Sequence, residues 1–254
     1  MKQTEFLFDL TSKSLLSARP ICEKILLSIS PINTIVDLGC GLGAWTKAFE
    51  EMGVKDYWMI DHPTLSKDKL LPTDKEKFIP CDLDKSIPQT IKADLIICIE
   101  VLEHFKLDRG LKIAKYLTEC SDLILFSAAV PNQKGCGHLN EQNHEYWHSV
   151  FSGYGYDYFD DFKPELFNLI QEENFFHAQN LFLYYNKQRQ PKYLSRRKIT
   201  SNGFEIRFNK ILNRKLGIGE LLRTIPSSLS NTIKFYKKKI QKKSHPFRSG
   251  SSPH

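Results

Sequence analysis

Asp37-Leu38-Gly39-Cys40-Gly41-Leu42-Gly43 sets three glycines at every second position, with an acid two residues before the first. The run follows a compact apolar stretch, Ile35-Val36-Asp37-Leu38, and opens onto residues 44–52, which read as a helix closed by Gly53. Glycines in such a strand-to-helix turn let the backbone bend sharply and approach a ligand closely. A fold that must hold a pyrophosphate spaces its glycines as G-x-G-x-x-G, so that the phosphate meets the helix N-terminus. The tighter spacing here, with a carboxylate beside it, suits a ligand that lacks phosphate and carries positive charge.

Downstream, the pattern repeats. Tyr57-Trp58-Met59-Ile60 is an apolar strand ending in Asp61, and residues 77–79 form a short strand leading to Cys81-Asp82. Residues 93–99 are almost wholly apolar, as expected of a strand covered on both faces. Residues 106–119 read as a helix and 123–126 as a fifth strand. Two later β-like segments, 154–159 and 180–185, are expected to complete the sheet as an antiparallel edge pair. Strands alternating with helices predict an α/β, Rossmann-like, doubly wound and mostly parallel seven-stranded sheet. Helices should cover both faces, and ligands should sit at the carboxyl ends of the strands. Upstream, residues 11–29 carry a helical apolar stripe, expected to break or restart at Pro20. The expected division is a helical segment over 1–30, a ligand-binding domain over 31–186 and a basic appendage over 187–254.

Charge marks that last boundary. The 254 residues carry a net charge of +7, but 1–186 hold 18 Lys+Arg against 27 Asp+Glu, while 187–254 hold 18 against 2. An acidic body joined to a basic tail points to an anionic partner for the tail. Cys22, Cys40, Cys81, Cys98, Cys120 and Cys136 are scattered, with no C-x-x-C pair, which argues against a zinc site or a disulfide framework and suits a reducing cytoplasm. The first residues, MKQTEFLFDL, carry Glu5 and Asp9 and do not read as a signal peptide. The expected location is cytoplasmic, with a peripheral position at the inner face of a membrane if the tail binds there.

The Asp37-to-Gly43 run resembles motif I of class I methyltransferases, which bind S-adenosyl-L-methionine (SAM). The resemblance implies a cofactor site of Asp37, Gly39, Gly41, Gly43, Asp61, Asp82, Leu83 and Glu100. Asp61, about 20 residues beyond the turn, is where a carboxylate accepts from both ribose hydroxyls. Asp82 matches the position that bonds the adenine amino group, with Leu83 packing on the ring.

Ile99-Glu100-Val101-Leu102-Glu103-His104 looks like motif IV, in a form similar to ubiquinone-type O-methyltransferases and small-RNA 3′-end methyltransferases. Some of those proteins hold a divalent cation with Glu, Glu and His here and a second His after strand five. The resemblance therefore implies a Mg or Mn site at Glu100, Glu103, His104 and His138, with His144 as a weaker substitute for His138. In the metal-free alternative Glu100 lines the pocket and His104 caps a helix.

The segment from Ser127 through Pro131, Gly135, Gly137, His138, Asn140 and Glu141 to Gln142, followed by Tyr146-Trp147, concentrates polar groups behind a glycine pair suited to a lid. It resembles a bacterial methyltransferase branch with a G-H-x-N-E-Q…Y-W signature and a later A-Q-N, here Ala178-Gln179-Asn180. Many members of that branch are associated with glycan assembly. Asn143-His144-Glu145 departs from it, since relatives often carry an aromatic and a proline there. A hydroxyl acceptor must lose its proton during transfer, and histidine has the right basicity at neutral pH. The candidate catalytic set is His138, Glu100 and Glu141, with Asn140 as a further acceptor contact.

The tail interleaves apolar residues with lysines, and Ile233, Tyr236 and Ile240 line one face of a helix rich in Lys234, Lys237, Lys238, Lys239, Lys242 and Lys243. That pattern fits an anionic membrane surface, with nucleic acid as the alternative partner and a solvated tail as the bland one. Three functional readings remain: methylation of a glycan or glycolipid acceptor, methylation of an RNA 3′-end, and a non-catalytic SAM-binding protein.

Overall fold

The computed structural model describes residues 3–29, 31–133, 135–159, 163, 166 and 175–189. Residues 1–199 cluster as one compact unit and 200–254 as another, and every described residue lies in the first. The expected basic helix of the tail falls outside the described residues.

Seven strands form one sheet: β1 (Thr34–Leu38), β2 (Asp56–Asp61), β3 (Phe78–Pro80), β4 (Leu95–Ile99), β5 (Leu123–Ser127), β6 (Tyr156–Phe159) and β7 (Phe182–Asn186). Their order is β3-β2-β1-β4-β5-β7-β6. The first five pair in parallel, and β7 runs antiparallel to both β5 and β6. This is the Rossmann-like doubly wound sheet that the alternation of elements predicts.

The strands are apolar on both faces because each face is covered. Ile35, Met59, Ile97 and Leu125 face a core completed by α1 (Gln3–Ser28) and α2 (Ala44–Glu51), through Ala18, Ile21, Ile25, Trp45 and Phe49. Val36, Ile60, Ile96, Ile124 and Phe126 face the other core, completed by α3 (Leu107–Cys120) and α4 (His144–Gly153). A fifth helix, α5 (Phe175–Asn180), precedes β7 and adds Ala178 to the first core.

Three elements differ from expectation, α5 among them, because Asn180 ends that helix where a strand was expected to begin. The helix expected to break at Pro20 runs unbroken through it. Proline removes one N–H, whose partner would be the carbonyl of Leu16, a residue on the helix's exposed side (47%). Burial of Ala18, Ile21, Cys22 and Ile25, with a two-bond Arg19–Glu51 ion pair at 2.8 and 2.9 Å, ties this helix to α2. The third difference is α4, which no periodicity announced. Its start is set by Asn143, whose side chain accepts from the Tyr146 N–H at 2.9 Å, and only Trp147 and Phe151 of its ten residues are buried. No helix among the described residues is long and apolar enough to cross a membrane.

Candidate active site

The five parallel strands point their carboxyl ends the same way, and the loops leaving β1 to β4 wall a cavity of about 330 Å³. Gly39, Gly41, Asp61, Asp82, Leu83, Glu100 and His104 line it, joined by His62, Cys81, Asp84, Val101 and Phe105. Seven sequence-predicted residues therefore meet in one place.

Two of the glycines are required there. Gly39 has φ +74°, and a side chain on it would drive into Val101. Gly41 has φ +54° and open space where a Cβ would stand, so any side chain there would project toward ligand volume. Their turn is pinned to β2, because Gly39 and Cys40 N–H groups both donate to the Ile60 carbonyl and the Gly41 N–H donates to Asp61 Oδ2 at 2.7 Å. Asp61 Oδ1 accepts from the His62 N–H at 2.6 Å. Burial raises the Asp61 pKa against these bonds. Asp82 takes Lys85 at 2.7 Å and the Asp84 N–H at 3.1 Å, and its pKa is lowered chiefly by Lys85. Arg109 of α3 donates from Nε to the Leu83 carbonyl, holding the loop that follows β3.

Asp37 and Gly43 are not in that lining. Asp37 is buried and its Oδ2 accepts from the Thr46 hydroxyl at 2.7 Å and the Thr46 N–H at 3.3 Å, so it fastens the first turn of α2 to β1. Burial pushes its pKa up to about 7. Gly43 serves as the N-cap of α2.

Motif IV divides into two environments. Glu100 has φ +54°, rare for a residue with a side chain, and its N–H is held by both the carbonyl (3.0 Å) and the hydroxyl (3.1 Å) of Ser127. Its carboxylate accepts from Gln133 Nε2 at 2.6 Å and from Asn180 Nδ2 at 3.4 Å. Glu103 is fully buried, and neither of its oxygens has a hydrogen-bond partner. Burial, then the neighbouring Glu100 charge, raises its pKa to about 9, so in the absence of a cation it is the neutral member of the pair. Glu103, His104 and His138 present ligand atoms that all lie within 4.8 Å of one another, and Glu100 is not in that group. Of the four expected ligands, Glu103, His104 and His138 are brought together, while Glu100 turns to the two amides.

His138 Nδ1 lies 2.9 Å from Glu141 Oε1, and Glu141 Oε2 accepts from the Asn132 N–H at 2.8 Å. A carboxylate only accepts, so it places the proton on Nδ1 and leaves Nε2 with the lone pair. The His104 and His138 rings meet edge to face at 5.0 Å, and burial, then His138, lowers the His104 pKa. Asn140 is buried and its N–H, with that of Leu139, anchors the loop on the Glu103 carbonyl. His144, the weaker ligand candidate, sits instead at 3.3 Å from Asn180 Oδ1. Sequence reasoning missed Gln133 as a site residue. Asn180 stood in the A-Q-N motif without a role.

Residues 16–159 match the family model described as a methyltransferase domain. The chain belongs to that family. Solved structures share its fold. A putative O-methyltransferase from Nostoc punctiforme PCC 73102 has TM-score 0.53 and 11% identity, covering 71% of this chain and 58% of that one. SAM-bound CalS10, an amino pentose methyltransferase from Micromonospora echinaspora involved in calicheamicin biosynthesis, has TM-score 0.50 and 10% identity, covering 67% and 90%. The chain spans about half (48%) of the mitomycin 7-O-methyltransferase MmcR, with TM-score 0.44, 15% identity and 57% of this chain covered. No curated protein matches the sequence.

Proposed function

We propose that this chain is a SAM-dependent methyltransferase acting on a hydroxyl of a glycan or glycolipid precursor. The observation that carries the reading is one cavity at the strand ends where the glycine turn, Asp61, Asp82 and Glu100 converge. Its wall fits the cofactor chemically, since four carboxylates (Asp61, Asp82, Asp84 and Glu100) face a ligand whose ammonium and sulfonium are both positive. Gly41 leaves room beside Asp61, which would take the ribose hydroxyls, while Asp82 and Leu83 would meet the adenine. When bound, SAM supplies the methyl group.

For the acceptor, His138 is the proposed base. Glu141 holds the ring through Nδ1, so Nε2 is free to take a hydroxyl proton as the new bond forms. The methyl transfer itself needs positioning more than functional groups. The glycan reading rests on the likeness of the 137–147 segment to the G-H-x-N-E-Q…Y-W branch. Methyl-labelled SAM offered with lipid-linked glycans, free oligosaccharides and RNA tests this reading. We expect label in a glycan fraction and at least a hundredfold loss in His138→Ala with SAM binding intact. A His138→Ala enzyme of full activity would remove the base assignment.

The Glu103–His104–His138 group favours a second reading, in which His138 Nε2 is a cation ligand in place of the base. A fully buried carboxylate with both oxygens unpartnered, facing two imidazoles, is a donor set that fits Mg or Mn. A divalent cation held there would supply positive charge to an oxygen acceptor. This arrangement also supports the RNA 3′-end alternative. Residues 189–254 are proposed to hold the enzyme at the inner face of an anionic membrane.

A further inference from the structure

Glu100 is set up with more care than a pocket wall requires. Its backbone occupies the left-handed region, its N–H is held twice by Ser127, and its two carboxylate oxygens receive amide N–H donors from separate segments. Those amides also hold each other, Asn180 Nδ2 donating to Gln133 Oε1 at 2.7 Å. Asn180 is buried at the end of α5, and its carbonyl oxygen meets His144, which leaves its amide group directed at Gln133 and Glu100. Gln133 closes a turn in which its N–H donates to the Val130 carbonyl at 2.9 Å. Asn132 of the same turn, with φ +72°, directs its N–H to Glu141, the partner of His138. Burial raises the Glu100 pKa, and donors of this kind act against that by favouring the ionised carboxylate.

We infer that Gln133 and Asn180 are positioning residues that fix the Glu100 carboxylate at the cavity wall, where it reads the positive charge of the methyl donor. The inference rests on the SAM reading above. Methyl transfer to a hydroxyl breaks the sulfur–carbon bond, leaves the electron pair on sulfur and sends the hydroxyl proton to the base. The donor therefore enters as a sulfonium cation and departs as a neutral thioether. A fixed carboxylate at that wall favours the charged form over the spent one and relaxes its hold when the charge is lost. A loosely held carboxylate discriminates less, because solvent and side-chain motion screen it.

The test compares calorimetric affinities for SAM and for S-adenosylhomocysteine, using the full chain as wild type, Glu100→Gln, Gln133→Met, Gln133→Ala and the Glu100→Gln/Gln133→Met pair. Gln133 is chosen because it lies on a surface turn, and Met keeps its length without the amide. We expect the preference for SAM to fall about tenfold in Glu100→Gln and roughly threefold or more in both Gln133 variants. Homocysteine-product affinity should stay within about twofold, and the double variant should match Glu100→Gln alone. Equal weakening of both ligands by the Gln133 variants would assign them a merely structural role and overturn the inference. So would an unchanged preference, or additive losses in the pair. A wild type that binds neither ligand would instead bring down the SAM reading and the inference with it.

Discussion

Asp37 separates a structural carboxylate from a cofactor-binding one. Buried against Thr46 with a pKa of about 7, it takes up its proton far more readily in the folded chain than an unfolded aspartate, whose value is 3.8. A folded pKa above the unfolded one means that the native state binds the extra proton between these values. Stability is therefore lost as pH rises through that window. Each tenfold change in proton affinity is 1.36 kcal/mol, so the whole window is worth about 4 kcal/mol. Asp37→Asn keeps the shape and an acceptor for Thr46 but has no proton to lose. Urea unfolding of both proteins from pH 5 to pH 8 reports on this group, because titrations remote from Asp37 cancel in the difference. Relative to wild type, the variant should gain about 3 kcal/mol over that range. Its affinity for S-adenosylhomocysteine at pH 6 should stay within about threefold, since Asp37 does not line the cavity. Parallel stability curves would refute the buried-carboxylate argument. A collapse of cofactor affinity in a well-folded variant would return Asp37 to the binding site.

Two further outcomes follow from the site and the tail. Mn titrated into chelator-treated protein should raise the melting temperature of wild type but not of Glu103→Gln, and EDTA should abolish turnover; a cation-independent enzyme would leave His138 as a simple base. Full-length protein should co-sediment with anionic vesicles at low salt and release at high salt, whereas a chain ending at Asn186 should stay in solution, each Lys or Arg near the surface contributing about 1 kcal/mol; binding to RNA in place of vesicles would reassign the tail's partner.

The parallel half of the sheet was legible because its signals are local. Apolar runs of strand length each end in an acid or a glycine turn, and Asp61, Asp82 and Glu100 all arrive at the cavity from such ends. Pro20 misled because proline's cost is set by where the freed carbonyl points, which a one-dimensional stripe does not show. The α4 helix hid because its buried face is only Trp147 and Phe151. Asp37 was assigned through the resemblance of its run to motif I, while its side-chain direction depends on Thr46 in the next helix. The Gln133–Asn180–Glu100 contacts join residues 33 to 80 positions apart, and no pattern along the chain encodes which amide meets which carboxylate.

The central claim is that the glycine turn and the acid ending β2 together hold SAM. Calorimetric titration of SAM into the full-length protein and its Asp61→Ala variant tests it most directly. Asp61 supports the turn through the Gly41 N–H and offers its charge to the ribose, and a hydrogen bond to a charged group is worth about 1.5–3 kcal/mol. The account predicts one site in the wild type and at least about tenfold weaker binding in Asp61→Ala. A folded wild type that takes up no SAM, or a variant that binds it equally well, would contradict the account.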